Sequence, residues 1–239
     1  MKINKFQEFI KGILIFILYF AASLTIELII VSVKPSTTLG NTILPLALQL
    51  IFVGILIIIF RKTLIEDFKK LKVNFKENFR TTIKYWLLGL LVMYVGNFIA
   101  TFIVNNGAIA ANQTNVDEIL GSAPVYYVFF VAILGPFIEE LIFRAGFRKA
   151  FSKPISYAIF CGLLFGSMHL IAGLDFSSLS AFLASSKEFA FLISYGALGF
   201  SFAFIYFKTD NIYFPVIAHV LHNTLSLLLM LIAHLGGIA

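Results

Sequence analysis

The sequence contains little charge and a single cysteine. Asp, Glu, Lys and Arg make up 13% of its 239 residues, 60% of the residues are hydrophobic, and the mean hydropathy is +0.96. A soluble domain is about half apolar and about a quarter charged, so this composition excludes an ordinary soluble protein and indicates a polytopic membrane protein. The lone Cys161 excludes an internal disulfide framework and a cysteine-rich metal site.

Long apolar runs account for most of the chain. Each run is near the length of about 20 residues that a helix needs to cross the hydrocarbon core. We therefore expect an all-α polytopic membrane helix bundle of about seven transmembrane helices, forming one integral-membrane domain over 1–239. An eighth crossing is possible if the Ser-rich segment 173–188 re-enters the membrane instead of forming an outer loop. The seven runs cover approximately 12–33, 42–60, 85–104, 125–143, 155–172, 189–207 and 212–235.

The basic residues lie between these runs, not on one exposed domain, so nucleic-acid binding is not indicated. If the N-terminus is cytoplasmic, only Lys34 and Lys187 of the 18 Lys and Arg residues fall on the outer side. The positive-inside rule therefore predicts a multi-pass protein of the cell membrane with a cytoplasmic N-terminus. The basic segment 61–84 carries apolar residues at helical spacing, which predicts an amphipathic helix on the inner leaflet. The alternative is a solvated connector whose charges only set the topology.

Polar side chains interrupt three of the apolar runs. The fourth run contains Glu139, Glu140 and Arg144, and an ionisable group at the centre of a membrane helix costs about 2.5–3.5 kcal/mol on insertion scales. Glu140 and Arg144 are four residues apart and can pair on one helical face. Glu139 points about 100° away around the helix. One glutamate is therefore predicted to be structural and the other to be free for chemistry.

The fifth run contains His169, and the seventh contains His219, His222 and Asn223. His219 and Asn223 are four residues apart and share a helical face, which His222 could join. A lone intramembrane histidine is often a packing residue, but together these groups indicate one hydrated site. A glutamate in an apolar site suits a general base, and His and Asn donors suit a developing oxyanion. This combination predicts hydrolysis of a peptide bond at the bilayer.

Two further features are expected to be structural. Glu27 lies late in the first run and is interpreted as a carboxylate near the outer interface. Gly162 and Gly166, four residues apart in the fifth run, predict close approach of another helix.

Three motifs follow one another along the chain: Glu-Glu-x-x-x-Arg at 139–144, Phe-x-x-x-His at 165–169 and His-x-x-x-Asn at 219–223. In this order the motifs resemble those of the CPBP intramembrane endopeptidases, the group of the CAAX prenyl proteases and the Abi proteins of bacteriocin processing and immunity. The matched region is about 139–223, within a motif-bearing core of about 125–235. The resemblance implies the following roles: Glu139 as the water-activating base, assisted by His169; His219 and Asn223 as an oxyanion hole; and Glu140 and Arg144, with Phe165, as supporting residues.

His222 is not required by the family pattern. The resemblance also leaves zinc open, with Glu139, His169 and His219 as its ligands. Asn is a poor zinc ligand, so Asn223 favours metal-independent hydrolysis without a cofactor. We expect cleavage of peptides or protein tails at the cytoplasmic side, with a peptide or membrane-protein substrate, the lipid bilayer and possible membrane-protein complexes as partners.

Two other functions are compatible with intramembrane charges. The protein could be a non-catalytic membrane scaffold or bacteriocin-immunity partner that keeps the protease fold. A proton-coupled transporter would use the same groups as a relay, but the inverted repeats typical of such transporters are absent from the sequence.

Overall fold

The computed structural model describes residues 4–34, 38–104, 128–171 and 173–235, and every regular element within these ranges is helical. The segment that contains Glu139, residues 130–145, is labelled α5 and has three parts: π-helical Phe130–Leu134, α-helical Gly135–Glu139 and π-helical Glu140–Ala145. The other helices are α1 Lys5–Val33, α2 Thr38–Ile59, α3 Arg61–Lys70, α4 Phe75–Val104, α6 Pro154–Ile171, α7 Leu179–Ser185, α8 Leu192–Thr209 and α9 Tyr213–Leu235.

The all-helical, multi-pass architecture is confirmed, whereas the predicted number of seven spans is not. Among the described residues, five helical segments are long and apolar enough to cross a membrane, and α2 with α3 makes a sixth if this pair, bent by 76°, counts as one span. The predicted span at 125–143 begins outside the described residues and continues as the three short parts of α5. The five segments are α1, α4, α6, Leu179–Thr209 and Tyr213–Ile232.

The segment 173–188, expected to be an outer loop or a re-entrant stretch, is helical from Leu179 onward. Ser178 caps α7, since its hydroxyl oxygen accepts a hydrogen bond from the Ala181 N–H at 3.1 Å. A 3₁₀ helix over Ser186–Phe191 then joins α7 to α8, so that Leu179–Thr209 forms one helical segment of 31 residues. Residues 179–188 are thus the beginning of the following span.

The predicted amphipathic helix over 61–84 is wrong as one continuous element. α3 ends at Lys70, and Asn74 adopts a left-handed conformation (φ 53°) just before α4 begins, a conformation that Asn tolerates better than most residues. Long-range hydrogen bonds hold α3 in place. The Asp67 carboxylate accepts from the Ile212 N–H at 2.8 Å, and the Asn211 side-chain amide donates to the Asp67 carbonyl at 2.7 Å. This clip ties α3 to the start of α9.

Helix α8 lies between α4 and α6 and is the centre of the bundle. The predicted close packing at Gly162 and Gly166 is confirmed, because a Cβ at Gly162 would lie 2.8 Å from the carbonyl oxygen of Gly196 in α8. On the other side of α8, the Ser201 hydroxyl donates to the Tyr85 carbonyl of α4 at 2.6 Å. The close backbone contact brings α6 and α8 together directly beside α5 and α9.

Candidate active site

The helix that carries Glu139 departs from regular α-helical geometry for a reason visible in its sequence. The Gly135 N–H bonds the Phe130 carbonyl in the π pattern. In that pattern the next carbonyl, that of Val131, faces Pro136, which has no N–H. The side-chain amide of Asn223 donates to the Val131 carbonyl instead, at 2.8 Å. π-helical turns are frequent at functional sites, and here the turn connects α5 to α9.

Glu140 and Arg144 form the predicted pair, and both side chains are fully buried. Arg144 Nη1 lies 2.9 Å from Glu140 Oε1, with both side chains 0% exposed. The same carboxylate oxygen lies 2.8 Å from His219 Nδ1. The guanidinium carbon of Arg144 sits 4.5 Å from the centre of the Phe165 ring, a distance typical of a cation–π contact. Glu140 is therefore held by a cation on one side and an imidazole on the other.

Glu139 occupies a different environment from its neighbour. Its Oε2 atom is buried without a hydrogen-bond partner among the described residues. The nearest charged or imidazole group is His219, whose Nε2 lies 3.7 Å away, beyond hydrogen-bond distance. His219 thus stands between the two glutamates, with Nδ1 toward Glu140 and Nε2 toward Glu139. This arrangement matches the predicted division between a structural and a free carboxylate.

His169 lies on the same side of the bundle but does not reach Glu139. Its Nδ1 is 3.0 Å from the Phe165 carbonyl in its own helix, and its ring stacks on Tyr195 with centroids 5.0 Å apart. The Phe165 ring lies 4.2 Å from the His169 ring and 5.7 Å from the His219 ring. Within the described ranges no hydrogen bond or ion pair joins His169 to Glu139. The structure therefore places His219, rather than His169, beside the free carboxylate.

Among the described residues, neither Asn223 nor His222 forms a hydrogen bond or an ion pair with Glu139. Asn223 uses one of its two amide hydrogens on Val131, and the second is available. His222 Nδ1 is buried without a hydrogen-bond partner in the part of the chain that is described. Its ring centroid lies 6.5 Å from that of Phe202.

Phe202 of α8 is a site residue that the sequence did not reveal. Its ring stacks on His219 with centroids 4.7 Å apart, and it lies 5.4 Å from the Arg144 guanidinium carbon. Phe202 stands in an apolar run among 28 phenylalanines of the chain, so no local signal separates it from a lipid-facing ring.

Glu139 lines a cavity of about 330 Å³ between α5, α1 and α2. The polar lining residues from these two additional helices are Tyr19, Ser23, Glu27 and Gln49. Glu27, interpreted from the sequence as a structural carboxylate, thus shares a cavity with Glu139. The spacing of four residues between Tyr19, Ser23 and Glu27 is a signal that could have revealed this polar face.

The alternative zinc set of Glu139, His169 and His219 is not assembled. No three His, Cys, Asp or Glu side chains of the described residues are close enough together to hold a metal ion. His169 faces its own helix and Tyr195 and therefore does not share a metal-binding position with Glu139 and His219.

Comparisons with known proteins match the part of the chain that carries these residues. Residues 121–225 match the family model for Type II CAAX prenyl endopeptidase Rce1-like proteins. The chain is 26% identical over 194 residues to the membrane-embedded CAAX protease MroQ of Staphylococcus aureus (strain USA300), covering 77% of this chain and 73% of MroQ. It is 25% identical over 150 residues to YdiL of Bacillus subtilis (strain 168), named as a membrane peptidase, covering 61% of this chain and 54% of YdiL.

A third relative is the UPF0177 protein YajF of Lactococcus lactis subsp. lactis (strain IL1403), which is 30% identical over 132 residues, or 52% of this chain and 63% of YajF. The chain thus spans about half the length of YdiL and nearly three quarters of MroQ. No solved structure matches the chain. All three motifs lie within residues 121–225, and this part of the chain belongs to the Rce1-like, type II CAAX prenyl endopeptidase (CPBP) family of membrane endopeptidases.

Proposed function

We propose that this protein cleaves peptides or protein segments at the membrane with water activated by Glu139. One observation carries the proposal: Glu139 lines a cavity and its side chain is 23% exposed, whereas Glu140 is fully buried and engaged by Arg144 and His219. A free carboxylate beside a cavity can hold a water molecule and accept its proton, which is the role of a general base. Glu140 is less suited to this role, because its side chain is fully buried, does not line the cavity and holds Arg144 and His219 through Oε1.

The proposed reaction conserves every proton. Glu139 removes a proton from water while the water oxygen bonds to the carbonyl carbon of the scissile peptide. The carbonyl oxygen becomes an oxyanion, and the proton held by Glu139 passes to the leaving amine as the carbon–nitrogen bond breaks. Donors aimed at the oxyanion lower the barrier of this step. The available donors are the second amide hydrogen of Asn223 and His219 Nε2 when protonated.

Glu140 orients His219 in this scheme. A carboxylate that accepts a hydrogen bond from Nδ1–H sets the tautomer and leaves Nε2 directed at the reacting groups. The 2.8 Å contact between His219 Nδ1 and Glu140 Oε1 supports such an arrangement. His169 would act indirectly, through the Phe165 ring that contacts both imidazoles.

The test is cleavage by the purified full-length protein, assayed with quenched-fluorescent peptides. We expect Glu139→Gln, which keeps the size but not the basicity of the side chain, to lower kcat by about 10²–10⁴-fold. The level of the protein in the membrane should stay unchanged. Chelator should leave the wild-type rate unchanged; loss of activity that zinc restores would replace the base mechanism with a metal-dependent one.

The same variant separates the enzyme from the scaffold or immunity partner. A scaffold does not depend on the basicity of one carboxylate. If Glu139→Gln retains the full biological effect at an equal membrane level, the non-catalytic function is favoured and the peptidase proposal fails.

A further inference from the structure

The cavity beside Glu139 has polar walls on two helices that carry none of the three motifs. Tyr19, Ser23 and Glu27 of α1 line it together with Gln49 of α2. Because the three α1 residues are four positions apart, they form one face that follows the cavity. A volume of about 330 Å³ is within the range of ligand-binding pockets.

Two buried acceptors among the lining residues of this cavity lack hydrogen-bond partners, and Glu27 offers an exposed carboxylate beside them. Gln49 Oε1 and Glu139 Oε2 are both buried without a hydrogen-bond partner among the described residues. Glu27 takes part in none of the ion pairs of the described ranges. Buried acceptors without partners are unfavourable, so a complementary ligand supplies donors, and a cation matches the two carboxylates best.

The lining residues show that the cavity extends along α1 from Glu139. Tyr19 packs against Phe143 of α5, with ring centroids 6.2 Å apart, one helical turn beyond Glu139. Glu27 lies two turns further along α1, about 12 Å along the helix axis. Val31, at the far end of the lining, is 60% exposed. The cavity therefore runs from Glu139 toward the half of the bundle in which α1 ends, away from the N-terminus.

Building on the proposed peptidase function, we propose that this cavity binds the substrate polypeptide in an extended conformation, with Glu27 pairing with a Lys or Arg side chain. Since Glu139 lies about one turn nearer to Glu27 than Phe143 does, and an extended chain rises about 3.3 Å per residue, the basic residue lies about two positions from the scissile bond. The substrate enters from the half of the bundle where α1 ends. This route differs from the cytoplasmic approach expected from the sequence, and it makes Glu27 a specificity-determining residue.

The specificity is tested by moving a charge through a substrate. Host peptides of Ala and Leu carry a single Lys at successive positions, and a matched set carries Glu at those positions. The wild-type protein in lipid nanodiscs should show a kcat/KM at least about tenfold higher for Lys than for Glu at one position about two residues from the cleaved bond. Glu27→Lys should reverse this preference at that same position.

The matched control is Leu24→Ala, since Leu24 is 57% exposed and does not line the cavity; it should keep the wild-type profile. The assignment of Glu27 is overturned if Glu27→Lys shows the wild-type preference, or if the wild type cleaves the peptides with no positional preference. Failure of the peptidase function looks different, because then no peptide is cleaved or Glu139→Gln is as active as the wild type.

The entry route has a test that needs no activity. Ser23→Cys places a thiol in the cavity, whereas the native Cys161 is fully buried. A membrane-impermeant maleimide should label Ser23→Cys from the side opposite the N-terminus, and Leu24→Cys, outside the cavity, should react much more slowly. Labelling of Ser23→Cys only from the N-terminal side would overturn the proposed entry.

Discussion

Glu139 and Glu140 are neighbours in the chain but face different partners. Glu140 shares one carboxylate oxygen with Arg144 and His219, and it is fully buried. Glu139 lines the cavity, and its Oε2 makes no hydrogen bond to the described residues. A helix turns about 100° per residue, so adjacent side chains necessarily point in different directions. The two glutamates thus divide stabilisation and chemistry between them.

Replacing Arg144 should destabilise the folded protein far more than replacing Arg148, a nearby arginine. We expect Arg144→Met to destabilise the protein by about 3–5 kcal/mol, because it leaves the Glu140 charge buried and unpaired. The free energy of unfolding in detergent, followed by denaturant titration, measures this loss. The double variant Glu140→Gln/Arg144→Met should recover part of the stability, since the unpaired charge is gone.

Arg148 is the matched control for Arg144. Its partner Asp210 is 3.5 Å away and 74% exposed, and exposed pairs contribute no more than about 1 kcal/mol. If Arg148→Met lowers the free energy of unfolding as much as Arg144→Met does, burial of the Glu140–Arg144 pair does not explain the destabilisation.

The contact between α6 and α8 depends on glycines that permit backbone approach. An added Cβ at Gly162 would lie 2.8 Å from the carbonyl oxygen of Gly196 and 3.1 Å from the backbone nitrogen of Phe200. Backbone atoms cannot rotate away as a side chain can, so the two helices would have to separate. Such a separation would also displace Phe165 and Phe202, which contact His219 from these two helices.

Gly162→Ala should therefore lower both stability and activity. We expect a cost of about 1–3 kcal/mol, as for overpacked interiors, measured as a lower midpoint of thermal unfolding in detergent. Gly54→Ala in α2 is the control, because an added Cβ there meets no atom within 4 Å. Equal midpoints for the two variants would contradict the close-packing interpretation.

Across the whole molecule, the clip between α3 and the start of α9 joins distant parts of the chain. Asp67 is 6% exposed and accepts a hydrogen bond from the Ile212 N–H. The Tyr213 hydroxyl donates to the Leu64 carbonyl at 3.2 Å. Burial raises the pKa of the Asp67 carboxyl above its usual value, although the hydrogen bond from Ile212 opposes this shift. The clip holds the start of α9, the helix that carries His219.

A raised pKa of a folded carboxyl has a defined consequence for stability. The folded protein binds the proton on Asp67 more tightly than the unfolded chain does. Protonated Asp67 therefore contributes its whole share of stability below the unfolded pKa, and this share is lost as the pH rises through the folded pKa. We expect the thermal midpoint of the wild type, relative to that of Asp67→Asn, to fall as the pH is raised above the unfolded pKa of about 3.9. The Asn variant retains an acceptor for Ile212 but does not titrate, so a constant difference between the two proteins would contradict this expectation.

Properties set by local spacing could be predicted from the sequence. Apolar runs of membrane-crossing length identified a multi-pass helical protein, and positions four apart identified the Glu140–Arg144 pair and the Gly162 contact. Each of these depends on the geometry of a single helix, or on the absence of a side chain at one position. The three motifs identified the family, because their residues and order suffice for recognition.

Other properties depend on how separate helices come together, and only the tertiary structure decided them. It placed His219 instead of His169 beside Glu139, added Phe202 to the site, and brought Glu27 and Gln49 to the cavity. It also broke the 61–84 segment at Asn74, where the clip through Asp67 holds α3. The physical reason is the same throughout: residue spacing determines which face of a helix a side chain occupies, whereas packing between helices determines what that face meets.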